Sequence, residues 1–121
     1  MKKQHRRIKP VSARRQQAMA SYKKTRLDWL TARSQPGPGG KPIVRCEAPG
    51  CGSLETIKAI TIHHKRGRIG SLLCDTRHWS ALCLSCHKQV GESPEWARRV
   101  GLLCEKGLWN TPDRTPNGQM D

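Results

Sequence analysis

Phenylalanine is absent from this chain, and aromatic residues of all kinds make up only 4% of it. Apolar residues fill 35% of 121 positions. A chain this short and this poor in large apolar groups cannot bury an extensive core, so a cross-link of some kind is expected to help hold it. Nowhere does an apolar run approach the roughly 20 residues that cross a bilayer, which argues against a membrane protein. Met1-Lys2-Lys3 resembles the charged start of a secretory signal, but the stretch from Gln4 to Lys9 supplies no apolar segment behind it. The expected compartment is therefore the reducing cytoplasm, where closely spaced cysteines serve metals more often than disulfides.

Acidic residues are also scarce, 9 against 23 Lys and Arg, for a net charge of +14. The imbalance is local. Residues 1–45 hold thirteen basic residues and one acid, Asp28, and carry +12, whereas residues 46–121 carry +2. A basic arm on a near-neutral body suits a polyanion, with nucleic acid as the leading partner. An anionic membrane surface fits less well, because the arm lacks an apolar face rich in Trp or Phe. A merely solvated basic tail is the plainer alternative.

The chain divides into three segments by composition. Residues 1–40 form a basic arm: a disordered start over 1–11, a helix from about Ala13 to Arg33 capped by Ser12, and a Pro/Gly linker over 34–40. Ala18, Tyr22, Trp29 and Leu30, with Met19 and Leu27, give that helix a loose apolar stripe. Residues 41–105 form the body. Within it, residues 59–62 read as a strand leading into His63-His64, Lys65 to Gly70 as a basic loop, 79–82 as a second strand and 84–92 as a helix. Ser93-Pro94-Glu95 starts another helix that Gly101 ends. Residues 106–121, broken by Pro112, Pro116 and Gly118, are expected to be a flexible tail. The fold class is a small α+β.

Cys46 and Cys51, then Cys83 and Cys86, are two close pairs about thirty residues apart. Four thiolates suit tetrahedral Zn²⁺ at about 2.3 Å, and close spacing lets a single turn present both sulfurs of a pair. Pro49-Gly50 and Gly52 supply the bend of the first turn. Free or disulfide-linked cysteines are the alternative. Cys74 and Cys104 each follow a Leu-Leu pair and read as small buried hydrophobes.

Four of five histidines lie between positions 63 and 87. Ile62-His63-His64-Lys65, Gly67-Arg68, and then His78-Trp79 with Leu82-Cys83 and Cys86-His87, resemble the HNH endonuclease family in its zinc-containing phage and bacterial branch. The resemblance covers about Cys46 to Leu103. It implies a ββα-metal core stapled by the four-cysteine zinc site, and DNA as the substrate. It further implies His64 as general base, His63 and His87 as ligands of a catalytic divalent ion, and His78 at the central motif position. The sequence departs from the family there, His standing where Asn pins the loop between the strands, and in the wider spacing of the first cysteine pair. If phage-encoded, the protein would act in the bacterial host cytoplasm.

The chemistry is coherent without the family. A neutral imidazole can take a proton from water at pH 7, and Mg²⁺ or another divalent ion such as Mn²⁺ or Ni²⁺ can neutralise a phosphate and assist the leaving oxygen. Lys65, Arg66 and Arg68 beside the histidines are candidates to hold the nucleic-acid strand, or form a solvated basic turn. The histidines themselves can instead support the fold or add zinc ligation. Two non-catalytic readings stand beside the nuclease: a zinc ribbon that only binds nucleic acid, and a basic zinc protein docking on RNA. A pure ribbon needs the cysteines but not His63, His64 and His87. The four tryptophans are scattered and read as core or rim rather than as a stacking surface. Oligomeric state is open, a monomer sufficing for these motifs.

Overall fold

A computed structural model describes residues 12–112; the basic start read as disordered and the end of the expected tail lie outside the described residues. The first helix, α1 (Ala13–Arg33), starts where Ser12 accepts a hydrogen bond from the Arg15 amide at 3.1 Å. Much of its surface is exposed and basic, and only Trp29 and Leu30, near its end, are buried. Arg26 adds a tie, its guanidinium donating to the Ile60 carbonyl at 3.1 Å.

The Pro/Gly stretch, expected as a linker, instead doubles back on the body. β1 (Gln35–Pro36) pairs antiparallel with β2 (Pro42–Arg45) across a turn that uses positive φ at Gly39 and Gly40. Its composition suits a tight reversal as well as a spacer, and the burial of Trp29 and Leu30 just before it keeps the chain close. β2 pairs on its other side with β3 (Leu54–Thr56), completing a sheet of order β1-β2-β3.

β4 (Thr61–His64) and β5 (Trp79–Leu82) form a separate antiparallel hairpin, with His63 opposite Ser80 and His64 opposite Trp79. α2 (Leu84–Glu92) follows directly, then α3 (Pro94–Arg99). Pro94 opens α3 as expected, although Ser93 makes no side-chain cap. Among the described residues the architecture is thus a small α+β of helices and two small antiparallel sheets. No helix there is long and apolar enough to cross a membrane.

Strand alternation separates the core into two parts. On one face of the hairpin, Ile62, Trp79 and Ala81 join Trp29, Leu30, Val44 and Ile60. On the other, Leu82 joins the cysteine-bearing cluster with Val90, Ala97 and Leu102. Cys74 and Cys104, expected as core, are only partly buried; their neighbours Leu72 and Leu102 take the interior places. The short 3₁₀ turn over Gly70–Cys74 buries one side chain, and that is a leucine. The end of the expected body and the beginning of the expected tail are tied down as well. Cys104 donates its amide to the Lys65 carbonyl, and Asn110 donates its amide to the Arg66 carbonyl.

Candidate metal and histidine site

The first cysteine pair sits in the β2–β3 hairpin loop. Cys46 donates its amide to the Ser53 carbonyl and Cys51 to the Ala48 carbonyl, with Gly50 at φ 82. That closes a knuckle with both sulfurs on its inner side. The second pair spans the junction of β5 with α2, where Cys83 caps the helix and Cys86 lies in its first turn. The four Sγ atoms lie within 4.8 Å of one another, with Cys51 and Cys83 at 3.8 Å. A tetrahedron with metal–sulfur bonds of about 2.3 Å has sulfur–sulfur edges of about 3.8 Å. All six cysteines are free thiols. The cluster can therefore hold a metal ion such as zinc. Ser53 beside it holds the Cys51 thiol down at about 6, while burial pushes Cys46 and Cys86 up. The Cys86 backbone amide lowers Cys83 as well, so two thiols are shifted toward the thiolate and two away from it, a difference that a bound cation would override.

Glu47, which sequence reasoning passed over, joins this knuckle to the hairpin. Its amide donates to the Ala81 carbonyl at 2.7 Å, and its carboxylate accepts from the Ala81 amide at 2.8 Å. Arg33 reaches the same carboxylate at 3.5 Å and also lies over the Trp29 ring. A lone Glu between two cysteines carries no spacing signal of the kind that Cys and His pairs do.

His63 and His64 are successive residues of β4, so they face opposite sides. His63 meets His87 from α2, their ring centroids 5.2 Å apart and edge to face. Both line a cleft of about 390 Å³. His64 turns to the α1 side, where Tyr22 and Trp79 pack on it at 5.8 and 5.4 Å between centroids. His78 joins neither group. Its ring nitrogen is 3.8 Å from Asp75, whose carboxyl Arg77 holds below the usual range, and its carbonyl accepts from the Lys65 amide.

The hydrogen bonds fix each ring's tautomer. The Thr61 hydroxyl donates to the Leu82 carbonyl at 2.6 Å, so its oxygen accepts from His87 Nδ1 at 2.8 Å. His63 Nε2 donates to the Leu102 carbonyl, and His64 Nε2 to the Leu73 carbonyl. A neutral ring so bonded keeps a lone pair on its other nitrogen: Nε2 of His87 and Nδ1 of His63 and His64. Metal-ligating histidines are commonly oriented by such outer bonds to oxygen. Burial lowers the pKa of all three, that of His64 to about 4.

The buried imidazoles set an acid limit on stability. At pH above 6.5 both the unfolded chain and the folded His64 are neutral. As pH falls from 6.5 toward about 4, the unfolded chain takes up a proton that the folded state refuses. Stability should fall over that window, by about 3 kcal/mol from His64 at the lower end. Thermal melts at pH 7.5 and pH 5 should show it, and His64→Gln should flatten the slope, although acid release of metal acts equally on both proteins. Equal slopes would show that His64 is not held neutral by the fold.

The basic loop closes on the segment around Asn110. Arg68 donates its amide to Asn110 Oδ1 at 3.1 Å, and Arg66 Nε donates to the Thr111 carbonyl. Arg68 also approaches the Tyr22 ring at 5.5 Å. Arg66 is thus committed in part to the fold, while Arg68 is exposed.

No protein-family model, curated protein or solved structure matches the chain.

Proposed function

We propose that the chain is a metal-dependent endonuclease of the HNH kind that hydrolyses DNA phosphodiester bonds, with β4, β5 and α2 as its ββα unit and a structural zinc on the four cysteines. The observation that carries this reading is the pairing of His63 with His87 in one cleft, each neutral and each keeping a lone pair. A ribbon that served only to hold zinc would need neither ring. Two such imidazoles suit a divalent ion, which when bound would neutralise the phosphate and stabilise the leaving oxygen.

The protein's own groups supply the rest. Thr61 and the Leu102 carbonyl keep the two rings in the required tautomers. His64, the base that the family resemblance implies, lies on the other face of β4 against Tyr22 and Trp79, so in this proposal the attacking water reaches its Nδ1 from the edge of the strand and gives up its proton there. Lys65 and Arg68 contact phosphates beside the cleft, and the basic surface of α1 extends the footprint along the strand.

Supercoiled plasmid should be cut in the presence of Mg²⁺, Mn²⁺ or Ni²⁺ and stay intact without added divalent ion. Tight binding with no cutting under any of these ions would leave a non-catalytic zinc ribbon.

A further inference from the structure

The cleft that holds His63 and His87 has an outer wall made by the segment after Leu102, including Cys104, Lys106 and Trp109. Composition marks the part from Lys106 onward as loose, yet the segment is tied at several points. Arg98 Nε donates to the Cys104 carbonyl at 3.1 Å. The Leu108 amide bonds to the Glu105 carbonyl and the Thr111 amide to the Leu108 carbonyl, so Trp109 sits in the second of two consecutive turns. Asn110 then locks the segment onto the basic loop through its amide and its side chain. Asn110 holds a left-handed conformation at φ 62, and a Cβ on Gly67 would collide with it. Asn is among the few residues that adopt this conformation readily, and Gly67 leaves the room it needs.

Trp109 differs from the buried tryptophans. Trp29 and Trp79 are 8% and 3% exposed and belong to the core, whereas Trp109 is 50% exposed at the cleft. A large flat ring on a tied backbone, half open to solvent, provides a stacking platform. The charged groups around it, Arg98 and Lys106 against Glu105, leave a positive excess. Aromatic face plus cationic neighbours is the chemistry that accepts a nucleotide: a base on the ring and a phosphate on the cation. A base within a duplex has both faces covered, so the platform takes an unpaired or splayed base.

We propose that the segment Cys104–Thr111 forms a nucleobase subsite. Trp109 stacks one unpaired base of a strand lying across the cleft, Lys106 meets its phosphate, and Asn110 is the positioning residue that holds Trp109 in place. As a subsite of the nuclease this rests on the function proposed above, but binding and cutting are measured separately.

The test uses the full chain, without added divalent ion, and fluorescence anisotropy of two single strands of equal length. One is oligothymidine and the other an abasic strand with the same phosphates. Wild type should bind the thymidine strand about tenfold more tightly, the scale of one stacked base. Trp109→Ala should abolish that preference and keep the abasic affinity, Trp109→Phe should retain most of it, and Asn110→Ala should weaken it. A wild type without base preference, or a preference that survives in Trp109→Ala, overturns the proposal. Plasmid cutting reads the nuclease independently. Loss of base preference in Trp109→Ala supports the subsite even if wild type never cuts, and an unchanged preference rejects it even if wild type cuts well.

Discussion

Cys83→Ser should yield a chain that binds no zinc tightly and has no folded body. Cys83 follows β5, stands at the N-cap position of α2 and supplies one of four sulfurs that lie within 4.8 Å of one another. The surrounding core has few large side chains: Cys46, Ala48, Cys83, Cys86 and Ala97 stand among its buried members. Little apolar area remains there to hold the knuckle against the helix if the metal is lost. Zinc on such sites contributes about 10–16 kcal/mol, against a total stability of about 5–15 kcal/mol for a typical domain. Metal analysis of the reduced wild type should find about one zinc per chain. A well-folded, reduced wild type without zinc would refute the staple, as would Cys83→Ser melting like wild type.

His87→Ala should lower plasmid cutting by about 10²-fold or more while leaving DNA binding and zinc content intact. His63→Ala should behave similarly, and excess divalent ion should partly restore both, because each removes one ligand of a pair. His64 calls for a different substitution. Its ring fills space between Tyr22 and Trp79, so His64→Ala would open a cavity in the core as well as remove a proton acceptor. His64→Gln keeps more of the volume. As the general base, His64→Gln should lose about 10²-fold in cutting, with no rescue by metal. Wild-type cutting by His64→Gln would make His64 a core residue joining α1 to the hairpin and would move the base elsewhere. Wild-type cutting by His87→Ala would remove the catalytic ion from the cleft.

The parts of this molecule governed by local rules were legible in the sequence. Ser12 marked the start of α1, and residues 79–82 and 84–92 read as the strand and helix they form. The cysteine pairs announced their cluster because ligand spacing is a local property. The parts set by long-range packing were not legible. Nothing local distinguishes a Pro/Gly linker from the β1–β2 turn until Trp29 and Leu30 are known to be buried beside it. Asn110 carries no motif, and its value lies wholly in the loop more than forty residues earlier that it meets. The adjacent histidines were visible as a pair, but which of them faces His87 is decided by strand pairing.

That pairing would give a zinc bound on the cysteines a second consequence. Side chains alternate along β4, so moving the strand by one residue against β5 would exchange the places of His63 and His64. His64 would then face α2 and His63 would face Tyr22. The frame of β5 is gripped at Ala81 by both the amide and the carboxylate of Glu47. Glu47 is itself the residue immediately after Cys46 in the metal knuckle. A metal held on the cysteines would therefore steady, through Glu47, the strand whose register decides which imidazole is presented to the cleft.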